Sequence, residues 1–180
     1  MNSSELRSQI SEEFFYDKGV NIAKELIGKF LIKENTGCGS IIVKTEAYLG
    51  ENDPSCHFAK NSEHRKKIFR KGVGTVYAYK IHGHNCMNII SEYKGNPEGT
   101  LIRAIKPSKR VEERGGGKRR DWNNKTKLAS GPGKLTEALG ITKEENNGEK
   151  LSESPIAIYE TDQETEIEVS SRIGISKSKD

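Results

Sequence analysis

A chain of 180 residues with 32% hydrophobic content and a mean hydropathy of -0.77 can bury one lean core. It has no apolar run of about 18 residues, which argues against a membrane-spanning helix, and its first residues lack the apolar stretch of a signal peptide. Its net charge of +4 is unevenly spread. Residues 60–134 carry 19 Lys and Arg against 6 Asp and Glu, a net of +13, while residues 1–59 and 135–180 carry -3 and -6. A basic middle between acidic flanks suggests a polyanion-binding face; the alternative is solvated basic side chains balanced in space by the acidic ends. Three widely spaced cysteines, Cys38, Cys56 and Cys86, point to reduced thiols in a cytosolic protein rather than to a disulfide framework.

In chain order, residues 1–12 are polar and read as a flexible or helical lead-in. Asp17 is placed to cap a helix whose apolar positions Val20, Ala23, Leu26 and Ile27 follow a 3.6 period, with Gly28 ending it. Phe30-Leu31-Ile32 reads as a short strand, Glu34 to Gly37 as its turn, and Ile41 to Tyr48 as the returning strand. Ser62 is placed to cap a basic helix containing Arg65, Lys66, Lys67, Arg70 and Lys71. Thr75 to Ile81 and Cys86 to Ile90 pair as a β-hairpin around His82-Gly83-His84-Asn85. Gly99 to Ile105 is a further strand, ended by Pro107. Residues 108–127, with Arg114-Gly115-Gly116-Gly117-Lys118-Arg119-Arg120, read as a mobile basic loop. Gly131-Pro132-Gly133 opens a helix over Lys134–Leu139, stopped by Gly140. Ile156-Ala157-Ile158 and Ile167-Glu168-Val169 have strand composition. The sum is a single α+β domain over residues 1–180 with a largely antiparallel sheet.

Chemistry-bearing residues cluster in a few places. Period-2 alternation puts Glu46 and Tyr48 on one face of their strand, a carboxylate beside a ring at the exit of a buried segment. A held carboxylate can act as a base towards water; the bland reading is a strand-end carboxylate paired with a lysine. Tyr77 and Tyr79 likewise share a face and could sandwich a planar base with a nearby histidine, or simply pack across strands. His82-x-His84-x-Cys86 fits no established zinc spacing, Cys-x-x-Cys is absent, and no metal is expected. Gly131-Pro132-Gly133-Lys134 lacks the full Walker spacing but could set backbone N–H groups and a lysine against a phosphate.

These pieces resemble the alkyladenine (3-methyladenine) DNA glycosylase family. The likeness runs from Phe14-Phe15 to Arg172-Ile173-Gly174-Ile175. Its specific matches are Thr45-Glu46-Ala47-Tyr48-Leu49-Gly50 through Asp53 to His57, Gly74-Thr75-Val76-Tyr77-Ala78-Tyr79, Cys86-Met87-Asn88-Ile89, Leu101-Ile102-Arg103-Ala104, and Ser130-Gly131-Pro132-Gly133-Lys134-Leu135, in that order. The resemblance implies a curved sheet flanked by helices, with a protruding hairpin that enters DNA. It implies excision of alkylated or deaminated purines (3-methyladenine, and hypoxanthine or ethenoadenine) from double-stranded DNA, with the target nucleotide flipped into a pocket. Glu46 matches the carboxylate that activates water and Arg103 the arginine that helps place water and phosphate beside it. Tyr48, His57 and Tyr79 match the residues contacting the flipped base, and Asn88 the one that screens purines with a 2-amino group. Lys134, Gly131 and Gly133 would meet the DNA backbone. The matched motifs place no Schiff-base lysine, so a monofunctional hydrolase without a cofactor is expected. It is expected as a monomer in the cytoplasm, nucleoid-associated in a bacterium or archaeon and nuclear in a eukaryote.

Three departures stand out, one of them the Gly-rich basic loop around 115–120, a variable region read only as a DNA backbone contact. The hairpin turn Ile81-His82-Gly83-His84 is one residue shorter than the common pattern and lacks its wedging tyrosine, leaving His82 or Ile81 to fill the gap left by the flipped base. The chain stops at Asp180 where the family usually continues into one more strand, so either it is truncated or the sheet edge is finished differently. A non-catalytic DNA-binding module of the same fold, and a metal nuclease using the His and Cys residues, are the competing readings.

Overall fold

The strand carrying the Thr45–Gly50 motif is the axis around which the rest of the chain is arranged. A computed structural model describes residues 6–59, 62–106, 108, 111 and 130–172. Its strands are β1 (Leu6–Gln9), β2 (Phe30–Lys33), β3 (Cys38–Tyr48), β4 (Val76–Ile81), β5 (His84–Tyr93), β6 (Asn96–Ile105) and β7 (Ile156–Thr161). Its helices are α1 (Gly19–Glu25), α2 (Glu63–Phe69), α3 (Pro132–Leu139) and α4 (Lys143–Asn146), with 3-10 turns at Glu12–Phe15, Glu34–Thr36 and Gly50–Asn52. The strands form one antiparallel sheet in the order β1-β7-β2-β3-β6-β5-β4. This is the α+β architecture expected.

β3 holds the two halves of the sheet together. Its first residues, Cys38–Ile41, pair with β2, and the stretch from Ile42 to Tyr48 pairs with β6. Two register shifts punctuate the second half. Ile42 faces Ile105 and Lys44 faces Ala104, so Val43 is an extra residue on β3; Thr45 then faces Ile102, so Arg103 is an extra residue on β6. Such bulges bend a strand and re-aim the side chain at the bulge.

Alternation divides the β4–β6 part of the sheet into two faces. Ile102, Ile89, Met87, Val76 and Ala78 point to one side and join Leu26 of the α1 C-terminus with Leu135, Ala138 and Leu139 of α3 in the main core. Each large side chain fully removed from water there contributes about 1.5–3 kcal/mol of transfer free energy. On the opposite side Tyr77 and Ile90 pack with Phe69 and Ile68 of α2 and with Cys56 and Phe58, and Tyr48 and Tyr79 lean on that second cluster.

Several expectations are corrected. Leu6–Gln9 is a strand on β7, joined by Ile10 N–H to the Ile158 carbonyl at 2.9 Å, rather than a flexible or helical lead-in. An edge strand facing water on one side needs no alternating apolar pattern, so its polar sequence concealed it. α1 starts after Lys18, while the Asp17 carboxylate accepts from Lys18 N–H and the Asn21 amide. The core residue of its first turn is Ile22, and Val20 is 39% exposed. Ile167-Glu168-Val169 forms no strand and is exposed; the segment instead runs over Gly28, where an added Cβ would meet Thr165 Oγ1 at 2.7 Å. α4 carries its own cap, Thr142 Oγ1 accepting from Glu145 N–H, although four residues gave no readable period. Of residues 108–127, Ser108 and Val111 are described, and Val111 is buried in the main core; the others lie outside the described residues, as do residues 1–5.

Candidate active site

The site is built on the second face of the sheet. Glu46, Leu101, Asn88 and Tyr77 lie opposite one another across β3, β6, β5 and β4, and directly opposed residues share a face. One step along, Cys86 faces Tyr79. Next to Tyr48, β6 has Gly99, whose missing side chain keeps the surface open beside Phe69.

Glu46 is 6% exposed and its Oε2 accepts two hydrogen bonds, from Arg103 Nη1 at 3.1 Å and from the Tyr48 hydroxyl at 3.2 Å. Arg103 lies two residues from Leu101, which faces Glu46, and so falls on Glu46's side of β6, at the register irregularity where it is the extra residue. A buried carboxylate requires such partners, because its desolvation is otherwise costly. Burial, and then the adjacent Glu46 carboxylate, push the Tyr48 hydroxyl up to about 12, so it stays a proton donor at neutral pH. Burial pushes Tyr77 up to about 12 and raises Tyr79 as well.

The aromatic wall stands on β4. Tyr77 and Tyr79 stack with ring centroids 5.2 Å apart, and Phe69 lies 5.0 Å from Tyr77. His57, from the loop after β3, shares a 2.8 Å hydrogen bond through Nδ1 with the Tyr77 hydroxyl and sets its ring against Tyr79 at 4.5 Å. Asn88 is 5% exposed, and its Nδ2 is buried with no hydrogen-bond partner among the described residues. Burial raises the thiols of Cys56 and Cys86, which are thereby poor nucleophiles. Among the described residues no group of three or more His, Cys, Asp or Glu side chains is placed to hold a metal.

The structure therefore brings Glu46, Tyr48 and Arg103 into contact and sets His57, Tyr79 and Asn88 on the same face. Gly131, Gly133 and Lys134 lie alongside. Gly131 N–H bonds the Arg103 carbonyl at 2.9 Å, and a Cβ on Gly133 would meet His84 Cβ at 2.7 Å, so that glycine lets α3 seat against the hairpin. Ile81 and His82 sit apart from these, at the hairpin tip. His82 and Gly83 form a two-residue turn with φ of 48° and 81°, and Ile81, facing His84, is 49% exposed. Tyr77, read from sequence as a ring that could sandwich a base with Tyr79 and a histidine, is the partner of His57. Two contributors were not singled out as site residues from sequence: Asp53 and Arg172, which pair beneath Tyr48. That pair had no local signal, since 119 residues separate its members.

Comparisons with known proteins bear on the family of the chain. The family described as Methylpurine-DNA glycosylase (MPG) matches residues 13–180. A protein of Clostridium novyi named "Putative 3-methyladenine DNA glycosylase" is 36% identical over 96% of this chain and 90% of its own length. Proteins of the same name from Shouchella clausii and Methanoculleus marisnigri are 37% and 34% identical, over 95% and 92% of this chain and 86% and 88% of theirs. A match over nearly the whole chain, with relatives this similar over nine-tenths of it, makes the protein a member of the methylpurine-DNA glycosylase family.

Proposed function

We propose that this family member hydrolyses the N-glycosidic bond of alkylated or deaminated purines in double-stranded DNA, with 3-methyladenine as the central substrate and hypoxanthine or ethenoadenine as others. The observation that carries the reading is the buried Glu46 carboxylate, held by Arg103 and Tyr48 at one end of a face walled by Tyr79, Tyr77 and His57. A flipped purine lies between Tyr48 and the His57–Tyr79 pair, stacking on rings and leaving its sugar C1′ towards Glu46.

Bond cleavage builds positive charge on the sugar, as in other glycoside hydrolyses. Glu46 stabilises that charge and takes a proton from the water that attacks C1′. The glycosidic electron pair leaves with the base. A 3-methylated adenine departs neutral because it started cationic, so no protein acid is needed; a neutral lesion needs a proton from elsewhere. Arg103 orients the carboxylate and the water. Asn88 screens against purines carrying a 2-amino group, since its buried amide is a donor with no use for a second donor facing it. Ile81 or His82 fills the vacated stack, and Gly131, Gly133 and Lys134 meet the backbone near α3. The protein acts as a single domain and a monomer, without a cofactor and without lyase activity.

The test is a lesion panel in duplex DNA carrying 3-methyladenine, hypoxanthine or ethenoadenine, with hot alkali revealing abasic sites and lesion-free duplex as control. Base release by wild type and lesion binding without release by Glu46→Gln are expected. Full activity of Glu46→Gln would remove Glu46 from its role; no release from any lesion would leave the DNA-binding module.

A further inference from the structure

The segment after β7 reaches the site through Arg172. Its guanidinium pairs with both carboxylate oxygens of Asp53, Nη2 to Oδ1 at 3.1 Å. Nη1 also donates to the Ala47 carbonyl at 3.0 Å, and the guanidinium carbon lies 4.8 Å from the centroid of the Tyr48 ring. Asp53 in turn accepts from Leu49 N–H at 3.1 Å and Ser55 N–H at 2.9 Å. One ion pair thus holds the residue before Tyr48 and the residue after it, and its cation lies under the ring. Both side chains are largely withdrawn from water, at 5% exposure for Asp53 and 23% for Arg172.

A plain staple between the C-terminal segment and the sheet would explain the ion pair. It does not explain why the same guanidinium grips Ala47 and the face of Tyr48. Those contacts fix a ring whose hydroxyl is bonded to Glu46. We propose that Arg172, oriented by Asp53, is a positioning residue that sets the Tyr48 ring and hydroxyl relative to Glu46 and so fixes the width of the base pocket. The inference rests on the glycosylase reading, because only there does Tyr48 wall a base. A side chain holding a reacting group in place matters steeply, since misplacement by about 1 Å can cost about 10²-fold in rate.

The experiment compares wild type, Arg172→Ala and Arg172→Lys in three measurements on the full chain. They are single-turnover base release from the best-cleaved lesion of the panel, affinity for a duplex carrying a tetrahydrofuran abasic analogue, and the 19F spectrum of 3-fluorotyrosine-labelled protein, with Tyr48 assigned by its loss in Tyr48→Phe. Arg172→Ala is expected to slow release by about 10²-fold while abasic-duplex affinity stays within about twofold, and to move the Tyr48 resonance. Arg172→Lys keeps the charge but not the planar fork, and is expected to recover less than about tenfold of the loss. If Arg172→Ala does not fold, Arg172→Lys decides, with a slowed rate and a moved Tyr48 signal expected. An unmoved Tyr48 signal, or a release rate within about twofold of wild type, overturns the proposal. If wild type itself releases no base, the glycosylase reading falls, and the 19F shift alone decides whether Arg172 holds Tyr48.

Discussion

The two faces of the β4–β6 sheet are made by alternate residues of the same strands, and they are built on opposite rules. One face is largely dry: Ile102, Ile89, Met87 and Val76 are fully buried against the core helices, and its buried polar groups, Thr100, Ser91 and Glu98, gather where α1 begins. The other spends its positions on a carboxylate, a guanidinium, an amide and hydroxyls: Glu46, Arg103, Asn88, Tyr77 and Tyr79. The dry face gains stability from shape and area. The polar face carries groups whose burial is costly without partners: Glu46 and Tyr77 have them, while Asn88 Nδ2 has none among the described residues. A shared backbone lets the first face hold the second rigid, as an oriented site requires.

The comparison can be broken by substitutions that should separate rate from stability. Glu46→Gln has the largest expected effect: base release falls by about 10³-fold in single-turnover assays, while lesion-duplex binding persists. On the dry face, Ile89→Ala should cost about 3 kcal/mol of unfolding free energy in urea titrations and leave the rate of the folded fraction within about threefold. A large rate loss there would show that the faces are not separable.

Asp53→Asn sharpens the comparison by pH. Burial would raise this carboxyl, but Arg172 and the Leu49 and Ser55 amides outweigh it and hold Asp53 below the ordinary carboxylate range. A depressed folded-state pKa contributes stability that is complete above the unfolded value, about 3.9, and is lost as pH falls through the folded value. The variant should therefore be less stable by about 2 kcal/mol at pH 6, and the gap should narrow as urea midpoints are followed down to pH 2.5. A constant gap would contradict the assignment. Tyr77→Phe removes only the hydroxyl bonded to His57 and should cost about 1 kcal/mol in stability with a several-fold drop in release. The smallest stability effect belongs to the hairpin tip. Ile81→Ala and His82→Ala should alter unfolding by less than about 0.5 kcal/mol, so any loss of base release measured there reports on DNA rather than on folding.

Local patterns carried much of this from the sequence. Period-2 alternation put Glu46 beside Tyr48 and Tyr77 beside Tyr79, and both pairs are in contact. Gly140 ends α3 with a left-handed φ of 73°, and the strand-turn-strand rhythm marked the hairpin. Patterns misled where an element's face is set by distant neighbours. Ile167-Glu168-Val169 alternates like a strand yet forms none, and Leu6–Gln9 becomes one only because β7 supplies an edge.

What the sequence by itself determined is therefore the set of chemical groups and their local facing, because a strand's two-residue period is a property of its own backbone. Only the tertiary structure decided which groups meet. Arg103 reaches Glu46 across 57 residues because β6 pairs beside β3, and Arg172 reaches Asp53 across 119 because the C-terminal segment crosses to the exit of β3. Strand pairings between distant segments and returning segments have no local signature; they are fixed by how the sheet packs on its core, and the site inherits its geometry from that packing.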